Sequence, residues 1–211
     1  MKHMVIPDTQ VKPDQPTEHL KWAGQYAVEK KPDVIIHIGD HFDLPSLSTY
    51  DVGKKSFEGR RYVNDINAGI DGMKEFLAPI REEQARLRRN KDKTWNPRLV
   101  FTLGNHEYRI ARAINADPKL EGLMSFDDLY LTEMGWEVFD FLQPVVIDGV
   151  CYSHYFVSGV MGRPVSSSNA LINKQHMSCV MGHVQDRSIS YARRADGKRI
   201  TGLFAGIFYQ H

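Results

Sequence analysis

Disulfide chemistry is the first thing this chain is short of. It has only two cysteines in 211 residues, and each sits in an apolar stretch, VVIDGVCYSHYF around Cys151 and MSCVMG around Cys179. That excludes a disulfide framework and points to buried, reduced thiols in a reducing, cytoplasmic compartment. Long hydrophobic runs are missing as well. The amino-terminal MKHMVIPDTQ holds too few apolar residues before Pro7 and Asp8 for a secretory core, and no later segment approaches a membrane span. No membrane partner is expected. An excess of one charge is also absent: 27 basic residues stand against 26 acidic ones, so net charge names no partner. Internal repeats, low-complexity tracts and linker-like composition are absent too. What is there, 42% hydrophobic and 25% charged residues, describes a globular chain expected to form one domain over residues 1–211.

The apolar pattern predicts an α/β order. Met4 to Ile6 form a short apolar run stopped by Pro7, and residues 17–30 (TEHLKWAGQYAVEK) carry apolar groups at helical spacing behind Thr17. VIIHIG at 34–39 is β-branched and bounded by Gly39, the pattern of a strand buried on both faces. A βαβ unit follows from these three pieces. Ile66, Ile70, Met73, Leu77 and Ile80 share one face of a long helix over 63–90, which Pro79 is expected to break or kink. RLVFTLG at 98–104 is the next strand. Beyond residue 135 the pattern becomes WEVFDFL, PVVIDGVCYSHY, CVMGHV, SISYAR and ITGLFAGIFY, short strand-like pieces between Gly, Pro and charged turns. The second half is therefore expected to be mostly β.

Polar groups gather where these strands end. Asp8-Thr9-Gln10 follows the first strand, Gly39-Asp40-His41-Phe42-Asp43 the second, and Gly104-Asn105-His106-Glu107 the third. In open α/β sheets ligands bind beyond the carboxyl ends of strands, so these groups should converge. Cys151-Tyr152-Ser153-His154 and Met181-Gly182-His183-Val184-Gln185 each place a histidine at the end of an apolar run, suited to presenting imidazole to a metal. Singly, each segment reads as a turn or a structural histidine. It is their ordered conjunction, each with metal-competent side chains, that signals chemistry.

This set resembles the calcineurin-like metallophosphoesterase superfamily, whose pattern is D-x-H, G-D-x-x-D, G-N-H-[DE], a later H, and G-H-x-H. The resemblance spans Asp8 to Gln185. It implies a four-layer αββα sandwich, a dinuclear centre at one edge, and hydrolysis of a phosphoester by a hydroxide shared between two divalent metals. It further implies that Asp40 bridges the metals, that Asp8, Gln10 and Gln185 complete one site, and that Asn105, His154 and His183 complete the other. A carboxylate has two oxygens with which to hold cations about 3.5–4 Å apart. By the same resemblance His106 is not a ligand but lies near the leaving group as general acid or charge stabiliser, oriented by Asp43.

Gln10 and Gln185 depart from the pattern, standing where it has histidines, and both fall on the same metal. An all-oxygen site favours a hard ion and should bind it more weakly, so Mn²⁺ is expected, with Mg²⁺ or Fe open at one site. A catalytically weakened scaffold or interaction module of the same fold is the competing expectation. The superfamily's protein phosphatases continue G-D-x-V-D with Arg-Gly where this chain has Leu44-Pro45, which argues for a phosphodiesterase or nuclease instead.

Nucleic acid is a candidate partner. The insert from Leu44 to Leu103 carries Lys54-Lys55, Arg60-Arg61 and the basic run from Arg86 to Lys91, beside Tyr50, Phe57 and Tyr62. Arg193-Arg194 and Lys198-Arg199 extend the possibility, while Glu82, Glu83 and Asp92 make a solvated helix face the plainer reading. His37 is expected to pack inside the sheet, while for His41, beside Asp40, reaching toward substrate is left open, and neither is placed in the site. His3, His19, His176 and His211 have no ligand-spaced partner and are assigned no role. Oligomeric state is not set by the sequence.

Overall fold

A computed structural model describes residues 1–209; Gln210 and the isolated His211 lie outside the described residues. The chain runs β1 (His3–Ile6), α1 (Glu18–Lys30), β2 (Val34–His37), α2 (Tyr62–Arg89), β3 (Arg98–Thr102), α3 (Arg109–Ala116) and β4 (Glu137–Phe139). It continues through β5 (Val145–Ile147), β6 (Val150–Ser153), β7 (Val157–Ser158), β8 (Arg163–Pro164), α4 (Ser168–Gln175), β9 (Ser178–Met181), β10 (Arg187–Arg193) and β11 (Arg199–Ala205).

One sheet, ordered β1-β2-β3-β4, is parallel throughout. The other, β10-β11-β9-β6-β5, is parallel in its centre and antiparallel at both edges, and β7 and β8 form a small separate ribbon. Period-two alternation sends one set of side chains between the sheets. Val34, Ile36, Ile38 and Val100 meet Val145, Ile147, Tyr152 and Val180 there. The opposite face of the first sheet, with Ile6, Ile35, Leu99 and Phe101, packs on Leu20 and Ala23 of α1 and on Met73, Phe76 and Ile80 of α2. On the outer face of the second sheet, Cys151, Cys179, Met181 and Phe204 pack on Leu171 of α4. The result is the four-layer αββα sandwich. β2 is buried at every position because both of its faces are covered.

Helix α2 corrects one expectation, since it runs unbroken through Pro79. A proline in a helix interior costs about 3 kcal/mol. Around it Met73, Phe76, Leu77 and Ile80 are buried, each such side chain contributing roughly 1.5–3 kcal/mol, so packing wins. Gly24 makes this possible: a Cβ there would collide with the Phe76 carbonyl and press on the Pro79 ring, so glycine lets α1 approach at that point. Helices α3 and α4 were not legible in the apolar pattern. In α4 only Ser168, Leu171 and Ile172 are buried, too few for a period, and its start is fixed by Ser167, whose side chain accepts from the Ala170 N–H at 3.1 Å.

Cys151 and Cys179 are both free and buried, paired in register on β6 and β9. No helix among the described residues is long and apolar enough to cross a membrane.

Candidate metal centre

The loops after β1, β2, β3, β6 and β9 meet at one edge of the sandwich around Asp40, which is 2% exposed. Its backbone lies in the left-handed region (φ 53), as do those of Gln10 (φ 40) and His183 (φ 62). For a non-glycine residue this costs on the order of 1 kcal/mol and persists only where the surroundings over-determine it. They do so here. The Asp40 carbonyl accepts from the N–H groups of Thr9 (3.1 Å) and Gln10 (2.9 Å), and its Oδ1 accepts from the His106 N–H at 2.9 Å. Its own N–H donates to Glu107 Oε2 at 2.9 Å. Glu107, fully buried, also accepts from Gly104 N (2.8 Å) and Phe42 N (2.8 Å), tying the loop after β2 to the loop after β3. Burial, reinforced by the Asp40 charge, pushes the Glu107 carboxyl above the ordinary glutamate range.

Asn105, His154 and His183 close on the same point. His154 donates from Nδ1 to the Ile38 carbonyl at 2.8 Å, which turns Nε2 inward. That nitrogen lies 2.9 Å from Asn105 Oδ1 and 3.4 Å from Asp40 Oδ2, while His183 Nδ1 is 2.7 Å from Asn105 Oδ1. Ligand atoms of Asp40, His154 and His183 all fall within 4.8 Å of one another. Imidazole nitrogens, a carboxylate and an amide oxygen drawn this close form a donor set that fits a divalent cation. Burial, with His154 alongside, lowers His183 to about 4, so its ring is neutral and ligand-ready near neutral pH. For Asp40 burial pushes upward, but His154 and His106 outweigh it and hold the carboxyl below its ordinary range.

Asp8 flanks this cluster, with both carboxylate oxygens 3.1 Å from the His183 N–H. Burial pushes it up to about 7, so its carboxylate gains from any neighbouring cation. Gly104 and Gly182 admit the two acids: a Cβ on the first would collide with Asp40 Oδ1, and on the second with Asp8 Oδ1. Gln10 is half-buried on the Asp8 loop, and Gln185 is exposed in the bend leading to β10. The structure thus draws Asp40, Asn105, His154 and His183 into tight contact and sets Asp8 beside them.

The ordered motifs at converging strand ends match the family Calcineurin-like phosphoesterase over residues 1–192 of 211. The chain belongs to the calcineurin-like phosphoesterase family. A comparison with curated proteins gives no match. As a member of this family it is a metal-dependent phosphoesterase, and the expected fold is the observed one.

Beside the phosphoesterase's donor cluster, His106 Nδ1 lies 2.8 Å from Asp43 Oδ1, although the N–H is not aligned for a regular hydrogen bond. His106 Nε2 is 3.8 Å from Asp40 Oδ2. Burial lowers the affinity of His106 for a proton, but the Asp40 and Asp43 carboxylates outweigh it and raise the pKa above the ordinary histidine value. A third partner was missed from sequence. Arg109 Nη2 is 3.2 Å from His106 Nε2, while Nη1 donates to the carbonyls of Asp43 (2.6 Å) and Leu44 (3.2 Å). The signal was its place three residues after His106, where a helix start makes the two neighbours.

His41 turns away from the site, which closes the open question of whether it reaches toward substrate. Its Nδ1 meets Thr9 Oγ1 at 2.7 Å, its Nε2 donates toward the Gly69 carbonyl at 2.9 Å, and it is 1% exposed. His37 packs inside, stacked on Phe101 with ring centroids 4.8 Å apart.

Proposed function

We propose that this phosphoesterase is a phosphodiesterase or nuclease working at a dinuclear centre with Mn²⁺ as its metal. The observation that carries the reading is the contact cluster of Asp40, Asn105, His154 and His183 beside the His106–Asp43 pair. In this reading Asn105, His154 and His183 would hold one cation, Asp8, Gln10 and Gln185 the other, and Asp40 would serve both. Divalent cations there would supply Lewis acidity and activation of a water at neutral pH. Amide oxygens from Gln10 and Gln185 make their site hard, which favours Mn²⁺ or Mg²⁺ over Zn²⁺.

His106 holds a proton next to the cluster, kept there by Asp43 and Asp40, and donates it to the departing ester oxygen or stabilises its charge. Asp43 positions the ring, while the Arg109 guanidinium, 3.2 Å from its Nε2, works against the ring's positive charge and is outweighed by the two carboxylates. Space is open on two sides of this pair: one cavity of about 450 Å³ touches Asp43 and another of about 310 Å³ touches His106. A diester has two arms to seat, a monoester only one, and this favours the diester.

Cleavage of a bis-aryl phosphodiester in Mn²⁺ tests the proposal. Turnover that disappears in Asp40→Ala supports it. No turnover in Mn²⁺, Mg²⁺, Fe²⁺ or Zn²⁺, with metal still bound, would leave the scaffold reading in its place.

A further inference from the structure

The segment between Leu44 and Tyr62 divides the space around His106 and Asp43 into two cavities of different character. In the larger one, Lys12, Arg60 and Arg61 share the wall with Asp51, Glu58 and Asp65. Arg60 is committed to Asp51 at 2.8 Å and to the Pro45 carbonyl at 3.0 Å. An anion gains little there, because Lys12 lies 3.8 Å from Asp43 and Arg60 2.8 Å from Asp51.

The smaller cavity differs. It lies between α3 and residues 47–50, opens on Asn105 and His106, and carries Arg109 and Arg112 with no carboxylate in its wall. The two arginines stand three residues apart on α3 and so share a face. Leu47 and Ala113 give it an apolar floor, and Tyr50 stands at its mouth, 82% exposed. Of the insert's three aromatics Tyr50 is the open one: Phe57 lies under the Arg60 guanidinium at 5.4 Å, and the Tyr62 hydroxyl donates to Asp128 at 2.8 Å. Arg112, which donates to the Asn105 carbonyl at 2.7 Å and has no acid in the cavity wall, is joined by Arg109, which also lines the larger cavity and lies 3.8 Å from Asp43 Oδ1; with a small apolar floor and a free aromatic face they match a phosphate followed by a planar base.

We infer that this cavity seats a nucleotide arm of the substrate, with Arg109 and Arg112 facing the phosphate next to the scissile one and Tyr50 stacking on its base. A nucleic-acid strand then leaves the centre over α3, not over residues 58–61. The inference rests on the diesterase reading and specifies the substrate class of that site.

Fluorescence anisotropy with a labelled phosphorothioate oligothymidylate of about eight nucleotides, within the usual span of single-strand sites, measures the arm without turnover. Arg112→Glu and Tyr50→Ala should each weaken binding about tenfold, and Arg112→Glu should lower the salt slope by about one phosphate contact. Arg61→Glu, in the other cavity, should change affinity less than about twofold. Tyr50 is exposed, so its replacement tests the idea without threatening the fold. Wild-type affinity in Arg112→Glu, an equal loss in Arg61→Glu, or no binding by the wild type would overturn the inference, even if aryl diesters are cleaved. Binding that depends on Arg112 and Tyr50 in a protein that cleaves no diester would uphold the surface and sink the diesterase reading.

Discussion

Glu107 accepts the backbone N–H of Asp40 at 2.9 Å across 67 residues of chain, and through this contact the acid at the middle of the centre is held in its left-handed backbone. The same carboxylate accepts from Phe42 and Gly104, so one side chain sets the spacing of two loops.

Replacing Glu107 should therefore damage the centre and the fold together. Glu107→Ala leaves three buried N–H groups without an acceptor, at about 1–3 kcal/mol each, so a loss of at least 3 kcal/mol is expected in urea unfolding. Glu107→Gln keeps one oxygen but turns a donor toward an N–H group, and should fall between alanine and wild type. A Glu107→Ala protein with unchanged unfolding free energy and unchanged metal content would show that the loops are held by something else.

That contact also marks how far the sequence could be read. The β-branched run at Val34 to Ile38 and the spacing of Ile66, Met73, Leu77 and Ile80 gave the sheet and the long helix, because burial on a regular face leaves a period. Asp40, Asn105, His154 and His183 were legible because their residue types and order carry chemistry. Glu107 was not: its role comes from backbone N–H groups that only the folded loops bring near, and Arg109 shows only through its place three residues after His106. His41 stayed open because a loop has no period to say which way a side chain faces.

His106 is expected to matter for turnover and not for metal. Its imidazole lies beside the donor cluster, whereas Asn105 and His154 lie in it. His106→Ala should keep its metal content and lose about 10²- to 10⁴-fold in kcat/KM toward a diester with a poor leaving group. Asn105→Ala and His154→Ala should lose metal, read by elemental analysis after dialysis. Wild-type rates in His106→Ala would remove it from the reaction.

Metal binding should be uneven. Imidazole is the stronger donor to transition ions, and both histidines of the cluster meet the same Asn105 oxygen. Calorimetric titration with Mn²⁺ should resolve a tighter and a weaker step, and Gln10→His with Gln185→His should tighten the weaker one and make Zn²⁺ usable. A single step in the wild type, or a double variant with unchanged affinity, would mean that the glutamines are not ligands.

Gly104 offers the sharpest test of how closely the loops must approach. A methyl group there would collide with the Asp40 side chain and crowd its N–H, both of which are already fixed, Oδ1 by the His106 N–H and the N–H by Glu107. The surrounding backbone has little room to yield, since Asp40 is buried and its carbonyl is bound by Thr9 and Gln10. Gly104→Ala should therefore move the carboxylate itself. Overpacking of this kind costs roughly 1–3 kcal/mol, a loss many folded proteins survive. Catalysis is less forgiving, because a displacement near 1 Å can cost about 10²-fold. The expected outcome is a folded protein with weakened Mn²⁺ binding and at least that loss in diester cleavage, whereas Gly149→Ala, in a turn with nothing near its Cβ, should affect stability alone. Equal activity in Gly104→Ala and the wild type would show that Asp40 has more freedom than its contacts allow, and the assignment of Asp40 as the shared ligand would fall with it.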